Sequence, residues 1–181
     1  MKKILLWGLA LLAVLGLAAQ GEKPRLLTDE SWVRYTLRHP LHTMEATSKE
    51  VTYGLALDTA RREIRSVSAL VDVTTFDSGN SNRDSHAMEV IDAITYPSVT
   101  FTSTSILNHS DSLAIAGNLT FHGITKQVQA GGIAQWSAEK LVVRGNFDVS
   151  LTAFSIDRPS LLMMPVDDTL RFSFLAAFAL K

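Results

Sequence analysis

From Ser31 to Leu180, apolar and polar residues alternate with a period of two in one short segment after another. In "EVTYGLAL" (50–57) Val51, Tyr53, Leu55 and Leu57 share a face. In "KLVVRGNFDVSL" (140–151) Leu141, Val143, Phe147, Val149 and Leu151 do so, with Arg144, Asn146 and Asp148 opposite. A repeat of two is that of a pleated strand, and one apolar face with one polar face marks antiparallel sheet rather than parallel strands buried on both sides. The same reading applies to "SWVRYTLR" (31–38), residues 62–76, 98–106, 112–123 and 125–136, and "TLRFSFLAAFAL" (169–180). The total is about eight strands separated by turn residues. No helical segment is long enough for crossover connections, which excludes a doubly wound fold. Sequential antiparallel strands either pack as two sheets or close on themselves, and closure removes both exposed edges. The expected architecture is an all-β, eight-stranded antiparallel barrel rather than a two-sheet sandwich.

One passage breaks the pattern. In "NSNRDSHAMEVIDAITYP" (80–97) Ser81 with Asp84 fits a helix-capping pair, and Ala87, Val90, Ile91 and Ile94 recur at helical spacing. Tyr96-Pro97 ends the helix, because proline disfavours helical geometry in the residue before it. A short helix over 82–94 with one apolar side must bury that side, and the open end of the sheet offers the surface.

The chain starts with Met1-Lys2-Lys3 and "ILLWGLALLAVLGLAAQG". A basic head, an apolar run shorter than the ~20 residues of a membrane span and then small residues are the pattern of a secretory signal peptide. It is expected over 1–19, cleaved near Ala18 or Ala19, leaving one domain over 20–181. With 0 cysteines there is neither a disulfide nor a residue to lipidate, so a periplasmic or secreted protein is expected. A net charge of -1 with scattered Lys and Arg argues against a nucleic-acid surface.

No catalytic signature is present: no cysteine nucleophile, nucleophile elbow, glycine-rich phosphate loop or zinc-protease helix. A binding protein without catalysis or cofactor is expected. Among the histidines, His39 and His42 stand in "HPLH", where Pro40 favours an extended loop over a helix. His109 reads as a solvated turn residue and His122 as a hydrogen-bonded one before Gly123. Arg83 and His86 lie on the interrupting helix and face the mouth or solvent. A haem or metal site using His39, His42 or His86 is the rival from another class.

Tyr53, Phe101, Ile115, Phe121, Phe147, Phe172 and Phe174 stand on inward rows, and the interior they line is either packed solid, as in a scaffold or stress protein, or hollow around one ligand. Gly117 and Gly145, inside strands, mark places where something approaches the backbone closely.

The blocks from Asp77 to Asn80, Arg83-Asp84 with His86, Tyr96-Pro97 followed by Phe101, "GNLTFHGITK" (117–126) and "FSIDRP" (154–159) resemble the YceI-like family, exported bacterial proteins associated with polyisoprenoids and other long-chain lipids. The resemblance implies a lipocalin-like eight-stranded barrel with an elongated apolar pocket and a polyisoprenoid or fatty amide or acid as partner. The tail of such a ligand is assigned to the seven inward residues from Tyr53 to Phe174 named above, and its polar head to a mouth at His39, Arg83, His86 and Arg158. It leaves open transient membrane contact and a homodimer. The chain departs from the family at Val90-Ile91-Asp92, at "PSLLMMPVDD" (159–168) and in the first hairpin, where a mouth would be shaped.

Overall fold

The computed structural model describes residues 24–180. The leader expected over 1–19 lies outside them. Strand β1 spans Arg25–Leu26, β2 Trp32–His39, β3 His42–Ser48, β4 Val51–Asp58 and β5 Glu63–Asp72. The helix α1, Ser81–Val90, precedes β6 (Ser98–His109), β7 (Ser112–Phe121), β8 (Ile124–Trp136) and β9 (Lys140–Ser150). Short strands β10 (Ser160–Leu161) and β11 (Met164–Pro165) form a separate hairpin before β12 (Thr169–Ala179).

The main sheet is antiparallel and runs β3-β2-β12-β9-β8-β7-β6-β5-β4, with β1 added on β12. Its outermost members, β3 and β4, follow one another through Lys49 and Glu50, so Val33 pairs with Ser48 at one edge and Val51 with Val71 at the other. One bent strand thus carries the sheet round on itself. The all-β barrel read from the alternation is the fold found, and the strand count is corrected. His42–Ser48, which lies outside the eight strand segments of the alternation, is a strand, and with β4 it fills one position in the ring.

The expected apolar rows face inward. They separate into two packed clusters, one around Leu113, Leu141, Val143, Ala176 and Phe178, the other around Leu119, Phe121, Val149, Leu151, Phe154 and Leu170. The ladder shifts register at Ala56/Leu57 and at Ser103/Ser105, irregularities that bend strands and raise local twist. The β7–β8 hairpin turns through His122 and Gly123, both at positive φ (49° and 71°), as a two-residue connection of right-twisted strands requires.

The helix is also corrected. It ends at Val90 rather than 94, and its N-cap is Asn80, whose side chain accepts from Arg83 N (3.1 Å). Asp84 accepts instead from Ser78 N (3.2 Å). Ile94 belongs to no apolar face: it stands 99% exposed in the following turn. Among the described residues no helix is long and apolar enough to cross a membrane.

Candidate functional site: an apolar cavity beneath the helix

Between the two clusters the barrel is hollow. A cavity of about 270 Å³ runs through it, many times the ~10–15 Å³ that a single water needs. The side chains around it report the same thing. Tyr35, Tyr53, Phe101, Phe147, Phe172 and Phe174 all line it, and all keep part of their surface accessible although they sit on the inner face. In a solid core such rings would be fully buried.

The wall is built from inward positions of nearly every long strand. Val33, Tyr35 and Leu37 come from β2, Tyr53 and Leu55 from β4, and Val67, Ala69 and Val71 from β5. Opposite lie Phe101, Ile115, Val128, Ala130, Phe147 and the β12 row Phe172, Phe174 and Ala176. Phe147 and Phe172 stack with ring centroids 4.9 Å apart, and Tyr53 meets Phe178 edge-on at 5.9 Å. The strand glycines have a steric cause. A Cβ on Gly117 would lie 2.3 Å from Phe101 Cζ, and one on Gly145 2.5 Å from Phe174 Cζ, so each glycine makes room for a ring of the wall.

Polar groups gather at one end. The segment before α1 is anchored by the backbone exchange between Thr47 and Asp77 (2.9 and 3.1 Å) and by Ser48 Oγ with Thr75 Oγ1 (2.6 Å). From there α1 crosses the cavity with Arg83, Asp84, His86, Ala87, Met88 and Val90 in its lining, and Ile91 follows at its end. Arg83 donates from Nε to Ser78 Oγ (2.9 Å) and from Nη2 to Ser78 O (2.7 Å). His86 lies 3.7 Å from Glu89, both well exposed. Tyr35 has its hydroxyl pushed above the usual range by burial first, then by the charge of Asp84, with Arg83 opposing. Tyr53 is raised further, by burial alone.

All seven residues assigned to the lipid tail, Tyr53, Phe101, Ile115, Phe121, Phe147, Phe172 and Phe174, line this one cavity. Of the four assigned to its polar mouth, Arg83 and His86 line it, and His39 and Arg158 are absent from the lining. His39 is 2% exposed and ends β2 opposite His42 across a two-residue turn. Its Nδ1 accepts from Leu41 N (3.2 Å), which puts the ring proton on Nε2, donating to Met164 O (2.9 Å). Both nitrogens are engaged in holding two loops together. Arg158 donates from Nε and Nη2 to Val166 O (2.8 and 2.6 Å) at the base of the β10–β11 hairpin. Among the described residues there is no group of three or more His, Cys, Asp or Glu that would hold a metal ion. His122 is a hydrogen-bonded turn residue, its Nδ1 3.0 Å from Phe154 O.

The sequence reading omitted Tyr35, Phe76 and Met88 from the wall. Tyr35 was recoverable, since it alternates with Val33 and Leu37. Phe76 and Met88 sit on irregular or helical chain, where no period of two points inward.

The YceI-like domain model matches residues 25–178. Among curated proteins, Protein YceI of Salmonella newport is 25% identical over 137 residues, 71% of this chain and 72% of that one. Among solved structures, BcnA of Burkholderia cenocepacia superposes with a TM-score of 0.75 at 20% identity, covering 84% of this chain and 98% of the other. A polyisoprenoid binding domain from Saccharophagus degradans, implicated in plant cell wall breakdown, superposes with a TM-score of 0.67 at 13% identity, over 86% of this chain and 97% of its own.

Proposed function

The chain belongs to the YceI-like family, and from that premise and the lining of its cavity we propose that it binds one long-chain amphiphilic lipid, a polyisoprenoid or similar molecule, without changing it chemically. The observation that carries this reading is the hollow of about 270 Å³ walled by aromatic and aliphatic side chains, with its charged groups confined to α1. A tail lies along the wall and a polar head rests near Arg83 and His86. The fold shared with a polyisoprenoid binding domain supports the choice of ligand class.

Energetics favour a carrier or reservoir. Each methylene buried out of water is worth about 0.8 kcal/mol, so a long tail strongly prefers the cavity to solution. A bilayer offers nearly the same gain, so the net preference over a membrane is small and the ligand can be released. The basic head and apolar run of residues 1–19 support export to the periplasm or beyond.

Native mass spectrometry of the intact chain, before and after a polyprenol is supplied from cyclodextrin, tests the proposal. A one-to-one complex whose lipid is recovered unaltered is the expected result. A chain that stays empty after exposure to prenols and to fatty acids would overturn it in favour of a scaffold role.

A further inference from the structure

Near the mouth, the β10–β11 hairpin serves neither the packed clusters nor the cavity wall. It turns through Leu162 and Met163, both at positive φ (53° and 62°). Two-residue turns of that kind favour Asn-Gly or Asp-Gly, because other side chains crowd the following carbonyl in the left-handed region. Leucine and methionine are poor choices for the turn, and the fold gives them nothing in return. Leu161, Leu162 and Met163 are 50%, 74% and 89% exposed. The β2–β3 turn adds Leu41, 58% exposed, tied to the hairpin through His39 Nε2 donating to Met164 O. A second link is Asp167 N donating to Arg38 O at 2.7 Å.

The tip is coupled to the cavity. Val166 N donates to Pro159 O (2.9 Å) at the hairpin base, Arg158 caps Val166 O from the other side, and Pro159 itself lines the hollow. The base of the hairpin is therefore hydrogen-bonded to a residue of the cavity wall.

We propose that Leu41, Leu161, Leu162 and Met163 form a membrane-docking tip, which enters the acyl layer of a bilayer and sets the mouth of the barrel against the lipid it draws from. The purpose of such a tip rests on the lipid-binding reading. A bilayer fits better than a protein partner for two reasons. The patch is a projecting turn rather than a groove, so it inserts and does not receive. Its four side chains also expose well under the about 800 Å² per partner that a stable protein interface buries. Exposed charges of both signs flank it, Arg38 and Arg158 with Asp157 and Asp167, so docking is apolar and requires no anionic lipid.

The absence of cysteine allows one label to be placed in the intact chain. An environment-sensitive dye is attached to the Leu162→Cys variant, and as a control to Ala138→Cys, in the β8–β9 turn at the other end of the barrel. With phosphatidylcholine vesicles the dye at position 162 should shift blue and be quenched by doxyl-labelled lipid, with under twofold change on raising salt, and the dye at 138 should not respond. A dye at 162 that stays open to aqueous iodide at saturating lipid would overturn the proposal. So would a dye that becomes buried without vesicles as protein concentration rises, which would identify a second copy as the occupant.

The double variant Leu162→Asn, Met163→Gly suits the turn and keeps the hairpin. It should load a prenol from cyclodextrin as the parent does and take it from vesicles at least tenfold more slowly. Equal transfer from vesicles would count against docking. Failure of both chains to load from cyclodextrin would refute the lipid reading, leaving the dye at 162 to decide docking alone.

Discussion

At the scale of the residue, the hollow changes what single groups can do. Tyr53 is raised by burial because its ionised form has no water to enter. A tyrosine raised in the folded state contributes stability that is intact below its unfolded value, near 10, and declines as pH climbs toward the folded one. Between pH 10 and 11.5 the parent should therefore lose stability more steeply than Tyr53→Phe, by about 1.4 kcal/mol per pH unit. Urea denaturation of both chains across that window measures it, and parallel curves would mean that Tyr53 ionises freely in the cavity. Gly117 and Gly145 show how far sequence alone reaches at this scale. Glycine inside a strand signalled a close approach, and the approach is real, but the partners are the rings of Phe101 and Phe174 from neighbouring strands. Which ring lies over which glycine depends on cross-strand register, and period two does not encode that.

Among the elements, long strands with full apolar rows were legible, and β3 was not, because its inner face offers only Met44, Ala46 and Ser48, too little contrast to stand out beside "HPLH". The helix was legible as an interruption but not at its start. Asn80 and Ser81 are both good capping residues in succession, and Asp84, the expected partner of Ser81, turns back to Ser78. No residue of α1 is buried, so its closure of the mouth rests on caps and anchors more than on packing. Asn80→Ala should remove about 1 kcal/mol of capping and deposit that loss locally. Amide exchange should quicken over 81–90 and bound lipid should leave faster, with the global denaturation midpoint little moved. A midpoint that falls by the full amount would show that α1 unfolds only with the barrel.

On the scale of the whole molecule, the alternation that declares a barrel is silent on whether it is filled, since a packed interior and a hollow one require the same apolar rows. The signal lies in side-chain size. Ala69, Ala130 and Ala176 stand on inward rows and line the cavity, so the wall is thinned where a solid core would carry leucine or phenylalanine. Packing into that space should stabilise the protein, because voids forfeit contacts that a close-packed interior would make. The chain forgoes this gain, which is the trade expected of a protein whose cavity is its working part. Ala69→Leu reverses the trade. Without ligand it should raise stability by about 0.5–2 kcal/mol, and it should weaken lipid binding tenfold or more by occupying part of the tail's course. Urea denaturation of the empty chain and titration with a prenol measure the two effects, and their opposite signs are the content of the prediction. A variant that is less stable and binds as before would show that this stretch of wall is already close-packed and that the tail runs elsewhere.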